Sequence, residues 1–469
     1  MNIATTTIFF ILLVGLFLPL PYLLRMVFVF SSLGAMSVIP PELLGGTSIV
    51  PDSLAVLFFL MRVFMKPEIV KEALLSLSNL RKLGLLGLFF AVAAVGAVFL
   101  PRLFVGQISV YSMRFPSLDR VMPSVTNFTQ TGYLFLSVFM AGAIFALLRK
   151  KPEFLDAVLK AFFAGGVAVI ATGLVDIIAN AIGQADALKV FYTANYGYSA
   201  GSIMEARRVL GLTPEPAAFG GLAVASASLL LFLRPVYAPS MRRVWVPLVG
   251  WGCVAMGFLS VSSTAYASLF LLLGIYLFYD IDAISADEKI LRKSIRKKAL
   301  SLLLIGVAFV LVLLLNSEFL SYFLDLVNTL LIDKTETTSY VERSSWTAAG
   351  LNAFIESYGL GVGVGSVRTS NFFANILAST GILGAGLFGS FLLSLYLRHA
   401  PDRNSREEAV IKGVKRALLP MFAVGFLAGT TPDFGIVQGL LFGTVVALSQ
   451  KKPALPANES PAPSRGRSG

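Results

Sequence analysis

Residues 368–386 read RTSNFFANILASTGILGAG. Arg368, Thr369, Ser370 and Asn371 lead into an apolar run that continues to 397. About 20 helical residues cross the hydrocarbon core of a bilayer, so this run is long enough to span one. A span entered through a guanidinium and an amide admits two readings. Arg368 beside the free N–H groups of a helix start makes a cradle for an anion at the membrane surface. Alternatively Asn371 or Ser370 simply caps the helix while Arg368 meets lipid headgroups.

Similar apolar runs recur at 5–24, 26–39, 49–66, 82–100, 127–148, 156–182, 216–233, 244–261, 265–281, 299–316, 416–431 and 434–449. Pro19, Pro21 and Arg25 interrupt the first two, which read as either one broken element or two. The expected fold is therefore an all-α polytopic membrane protein with 12–13 transmembrane helices. A content of 56% hydrophobic and 14% charged residues, with mean hydropathy +0.79, excludes a soluble globule.

The net charge of +12 does not point to nucleic acid, because the basic residues fall in alternate loops. Segments 66–82, 149–151, 234–243, 289–298, 398–416 and 451–469 hold 26 Lys and Arg, whereas 101–126, 184–215 and 317–369 hold nine. By the positive-inside rule the first set is cytoplasmic and the second faces outward. Residues 1–450 then form a single transmembrane domain with outer loops 101–126, 184–215 and 317–369. The Pro- and Ser-rich stretch 451–469 is expected to be a disordered cytoplasmic tail. Cys253 stands alone inside a span, which leaves no disulfide framework and no thiolate metal site. The N-terminal run lacks a basic leader and reads as a retained span. No repeat of fixed period is visible, so function is sought on the outer face.

Two outer loops carry charge. Residues 198–220, YSAGSIMEARRVLGLTPEPAAFG, deliver Glu205, Arg207, Arg208 and Glu215 to the start of the span near 216. Pro214 and Pro216 bracket Glu215 and suit a first helical turn, where an acid also complements the helix dipole. In 317–369, Trp346, Gly350, Ala353 and Phe354 share one helical face, with Ser344 or Ser345 placed to cap the start. That helix is expected to lie along the interface with Trp346 at headgroup depth. Gly359, Gly361, Gly363 and Gly365 alternate, matching no nucleotide loop, and permit close approach to a ligand or another helix.

The single histidine, His399, lies on the cytoplasmic side, which excludes an outward Ser-His-Asp triad and histidine-ligated zinc. Outward acids are chiefly Glu205, Glu215, Glu356 and Asp433, and outward arginines are Arg207, Arg208, Arg343 and Arg368. Arginines near a bilayer with few acids suit a phosphate-bearing ligand, since the guanidinium binds bidentately and stays charged.

The order of several motifs resembles the O-antigen ligase and polymerase superfamily. Ser370-Asn371, nine residues, then Gly381 and Gly384 match its ligase pattern of His-[Asn/Ser/Gln], nine residues and Gly-x-x-Gly, except that Ser370 stands where the histidine does. ERSSWTAAGLNAFIESYGLGVGVGS (342–366) resembles the family's large outer loop, and LSVSSTAYASL (259–269) its Ser-rich hairpin without the usual Arg. RRVLGLTPEPAAFG (207–220) resembles a Glu-Pro segment of polysaccharide polymerases. The resemblance implies a GT-C-like, metal-independent glycosyltransferase with no cofactor, at the bacterial inner membrane, active on its periplasmic face. It would join undecaprenyl-diphosphate-linked oligosaccharide repeat units, alongside membrane lipids, a chain-length regulator and a flippase. The missing histidine favours a polymerase over an O-antigen ligase; a lipid-linked oligosaccharide flippase is the rival from another class. In the implied site Arg207, Arg208, Arg343 and Arg368 hold the diphosphate. Glu215 takes the acceptor proton, with Glu205 and Asp433 as further candidates, and Trp346, Ser370 and Asn371 contact substrate.

Overall fold

The computed structural model describes residues 2–44, 48–113, 117–195, 208–277, 300 and 338–451. Among them fourteen α-helices and one two-stranded sheet are formed. The helices are α1 (Ile3–Gly15), α2 (Leu20–Phe30), α3 (Pro51–Phe64), α4 (Pro67–Ser78), α5 (Gly84–Leu103), α6 (Val125–Lys150) and α7 (Phe154–Ala181). They continue as α8 (Pro216–Leu233), α9 (Val246–Leu259), α10 (Ser263–Leu277), α11 (Thr338–Glu356), α12 (Phe372–Leu397), α13 (Arg406–Ala428) and α14 (Ile436–Leu448). Five helices are long and apolar enough to cross a membrane: Gly84–Leu103, Val125–Lys150, Phe154–Ala181, Pro216–Val236 and Phe372–Leu397. The expectation of an all-α membrane protein holds at that level.

The bundle has two chemically distinct ends. At one, Arg398 donates to the carbonyls of Arg81 (2.9 Å) and Lys82 (3.1 Å), Arg149 to that of Lys451 (2.8 Å), and Arg406 pairs with Asp156 at 2.6 Å. Arg406 also donates to Val236 O at 3.0 Å, so the charged segments 66–82, 149–151, 234–243 and 398–416 gather at one basic end. At the other, Arg368 N–H donates to Tyr111 O (2.7 Å), Asn127 Nδ2 to Val364 O (2.7 Å), Asn195 N–H to Ser48 Oγ (2.7 Å) and Asn375 Nδ2 to Thr430 O (2.9 Å). The described parts of loops 101–126, 184–215 and 317–369 therefore meet in one cap, the loop end.

Several sequence expectations are refined. The proline-interrupted start forms two helices: Asn2 reaches Val190 O at the loop end, while Arg62 holds the carbonyls of Leu16 and Leu18 at the basic end. Segment 66–82, read as a loop, contains α4, begun by Pro67 at its first turn. Outer loop 101–126 holds an antiparallel hairpin, β1 (Ser109–Tyr111) with β2 (Leu118–Arg120), not foreseen from sequence. The span at 299–316, apart from residue 300, and the tail beyond 451 lie outside the described residues.

Helix α12 is broken at Gly381, whose φ of 64° and ψ of −168° leave the helical region. A break frees backbone groups that must find partners in an apolar medium. The glycine run supplies them: Val362 N–H donates to Ala378 O (2.8 Å), Gly363 N–H to Ser379 O (3.1 Å), and Ile382 N–H to Gly359 O (2.9 Å). A Cβ on Gly361 would stand 2.7 Å from the Gly381 nitrogen. The alternating glycines thus approach another helix, and Gly381 of the Gly-x-x-Gly pair is where that helix opens to receive them.

Candidate functional site

Arg208 and Glu215 are held on the loop end by a buried acid on α7. Asp176, 1% exposed, accepts the N–H groups of Leu210 (2.7 Å) and Gly211 (3.1 Å), while Asn180 Nδ2 donates to its other oxygen at 2.9 Å. Val209 N–H donates to Leu259 O (3.1 Å), fixing the segment to the α9–α10 turn, where Val261 takes φ 46°. A positive φ on a β-branched residue is a strained turn, here in the segment to which Val209 is tied. Asp176 escaped the sequence reading; its signal was an acid near the outer end of an otherwise apolar span.

Glu215 is the N-cap of α8, with Pro216 at the first helical position, yet its side chain makes no capping hydrogen bond. Its carboxylate instead pairs with Arg343 of α11 at 3.8 Å. At the N-cap it stays near the helix dipole while facing Arg343.

Arg368 reaches the same place from the loop before α12. Its guanidinium carbon lies 4.2 Å from the Trp346 ring centre, and Trp346 lies 6.5 Å from the Tyr111 ring. Burial lowers the Arg208 and Arg368 pKa values below the ordinary arginine value; Glu215 opposes the shift for both, and Arg343 adds to it. Glu215 and Arg343, paired with each other, thus act electrostatically on both Arg208 and Arg368, with Tyr266 acting on Arg208 and Glu342 on Arg368. The Nε atoms of Arg208 and Arg368 are buried without a hydrogen-bond partner among the described residues. Three guanidiniums against Glu215 and Glu342, with unspent buried N–H donors, leave this end with a positive surplus that is chemically suited to an anion.

The Trp346 ring lies beside the Arg368 guanidinium, and Gly350, on the same helical face, packs beside Thr369. Helix α11 begins at Thr338, so Ser344 and Ser345 do not cap it; their hydroxyls donate to Val341 O (3.0 Å) and Glu342 O (2.8 Å).

Asn371 does cap α12, its Oδ1 accepting from Ala374 N–H at 3.0 Å. Ser370 is 7% exposed and its N–H donates to Thr347 Oγ1 at 3.2 Å, which ties α11 to the mouth of α12. Asp433 does not join the arginines. It lies between α13 and α14, accepts from Gly435 N–H (3.1 Å), and has Asp52, Tyr133 and Ser137 as neighbours; burial pushes its carboxyl up. Glu205 and Arg207 lie outside the described residues. His399 is at the basic end, its Nδ1 2.8 Å from Glu408 Oε1.

No family model matches the chain, and no curated protein matches it. The chemistry of this end is therefore read from its own residues.

Proposed function

We propose that the protein is a polysaccharide polymerase of the inner membrane, joining oligosaccharide repeat units carried on undecaprenyl diphosphate. The observation that carries the reading is the convergence of Arg208, Arg343 and Arg368 around Glu215, beside the Trp346 ring. In this reading the bundle is a GT-C-like arrangement of 13 spans with the loop end outside. Twelve of those spans are helices among the described residues, all but α4 and α11, and one is the predicted run at 299–316. The loop end, poor in basic residues, is then the periplasmic face.

The donor diphosphate would take the guanidinium donors of Arg208 and Arg368 that no protein group uses. The acceptor hydroxyl oxygen attacks the donor's anomeric carbon, the bond from that carbon to the diphosphate oxygen breaks, and the lipid diphosphate leaves with both electrons. The arginines offset the charge that grows on the leaving oxygen. Glu215, at 3.8 Å from Arg343, loses part of that pairing once a diphosphate engages the same guanidinium, and accepts the acceptor's proton. Trp346 and Tyr111 border the cluster with ring faces suited to the apolar face of a sugar. A chain-length regulator and the flippase that supplies the donor are the partners this reaction calls for.

A strain lacking the protein tests the reading through its surface glycan and lipid-linked intermediates. Single repeat units with no polymer are expected. Full polymer retained on the lipid carrier would replace the polymerase with a ligase, and units trapped inside would replace it with a flippase.

A further inference from the structure

The basic end carries a feature that the glycan chemistry does not use. A cleft of about 620 Å³ opens where five segments meet: the α1–α2 hinge (Pro19, Leu20), the end of α3 (Arg62, Met65), the start of α4 (Ile69), the end of α6 (Leu147) and the start of α7 (Phe154, Ala157). Its walls are apolar, and its rim bears Lys66, Lys151 and Arg62 against a single acid, Glu153. One Arg62 nitrogen holds the Leu16 and Leu18 carbonyls of the hinge. Its other two nitrogens have no protein partner among the described residues, and neither Lys66 nor Lys151 forms an ion pair there. Next to the rim Met65 is 75% exposed and Phe17 83%, so this end meets an apolar surrounding.

An apolar cleft crowned by three cations and one acid matches an amphiphile with a negative head. A soluble anion would gain nothing from the cleft walls, and a zwitterionic lipid nothing from the surplus of positive charge. We infer that this cleft binds an anionic glycerophospholipid of the leaflet at the basic end, its phosphate between Arg62, Lys66 and Lys151 and an acyl chain against Leu20, Ile69, Leu147 and Phe154. The site is independent of the arginine cluster at the loop end. By holding Arg62 it also braces the hinge between α1 and α2, since the same guanidinium touches both lipid and hinge.

The test uses full-length protein in neutral detergent, with phosphatidylglycerol, phosphatidylcholine or inorganic phosphate as probe. Native mass spectrometry is expected to show one phosphatidylglycerol retained in preference to phosphatidylcholine, with a rise in thermal midpoint that inorganic phosphate does not reproduce. Lys66 and Lys151 are exposed, so Lys66→Ala and Lys151→Ala leave the fold intact. Each is expected to weaken retention about fivefold, the equivalent of one cation near an anionic headgroup. Ala157→Leu fills the cleft without changing charge and is expected to weaken it as well. Equal retention of the two lipids by the wild type, unchanged phosphatidylglycerol retention in the double lysine variant, or an equal midpoint rise with inorganic phosphate would each overturn the inference.

Discussion

The Arg368 guanidinium carbon lies 4.2 Å from the Trp346 ring centre, and at this place by the mouth of α12 the arginine feels the charge of Glu215. The arginine's backbone is fixed as well, through its N–H on Tyr111 O at 2.7 Å. A side chain held at both ends is positioned for a ligand before the ligand arrives, which is where an electrostatic site gains most.

Arg368→Lys keeps a charge but loses both the planar fork and the stacking on Trp346. Polymer formation from lipid-linked donor is expected to fall about a hundredfold, the scale of removing one preorganised donor, with normal protein in the membrane. Trp346→Ala is expected to cost less, about tenfold, as a lost cation–π contact. Asn371→Ala removes only the α12 cap, worth about 1 kcal/mol of helix-end stability, and should reduce activity slightly. Wild-type polymer from Arg368→Lys or Arg368→Ala would return that arginine to the lipid headgroups.

Glu215 and Arg343 are 45% and 29% exposed at their side chains, so their pair contributes about 0–1 kcal/mol to stability. Glu215→Gln should therefore leave the thermal midpoint unchanged while abolishing turnover, because the amide cannot accept the proton of the acceptor hydroxyl. A Glu215→Gln protein that still makes polymer at more than about a tenth of the normal rate would remove Glu215 from the chemistry.

The glycines of the α12 break separate from other glycines of the same helix. Gly381→Ala meets a φ of 64° and the carbonyls of Gly359 and Leu360, and is expected to destabilise by about 2 kcal/mol or more. Gly386, with nothing within 4 Å of an added Cβ, should gain about 0.5–1 kcal/mol on change to Ala. Thermal unfolding in detergent reads both. Equal effects would mean that α12 runs unbroken.

The contrast between what residues 207–220 and 342–371 disclosed and what they concealed follows from the range of the forces involved. Apolar length and loop charge act locally along the chain, so the bundle and its two ends were legible. The candidate arginines Arg208, Arg343 and Arg368 were legible as residues, because uncompensated cations in acid-poor loops are unusual. Their meeting at Glu215 was not, since it depends on Asp176 holding Leu210 and Gly211 from another helix, a contact spanning more than thirty positions. The separation of Asp433 from that cluster was equally invisible, because it is set by the α6–α14 packing that carries the acid toward Asp52 and Tyr133. The purpose of the glycine run became clear only once its N–H groups were seen on α12 carbonyls.

Because arginines are assigned the neutralisation of the leaving diphosphate, purified protein should make polymer in excess EDTA. Activity lost on chelation and restored by magnesium or manganese would overturn that assignment.

The orientation of the bundle has a direct test in two exposed positions. Tyr358, 90% exposed at φ 55°, projects from the loop end just after α11, whereas its neighbour Ser357 is fully buried with its hydroxyl accepting from Gly361 N–H at 2.9 Å. A cysteine at 358 is thus accessible where one at 357 is not, and it takes the same positive φ as the exposed tyrosine that it replaces. Asn404, exposed between α12 and α13, reports the basic end. Cys253 is 0% exposed and near the Gly166 carbonyl, and its change to Ala removes the only other thiol in the chain. In that background an impermeant maleimide applied to spheroplasts should label Tyr358→Cys at once and Asn404→Cys only after lysis. The reverse pattern would put the arginine cluster in the cytoplasm, where no outward-facing diphosphate lipid could reach it, and the polymerase reading would fall with it.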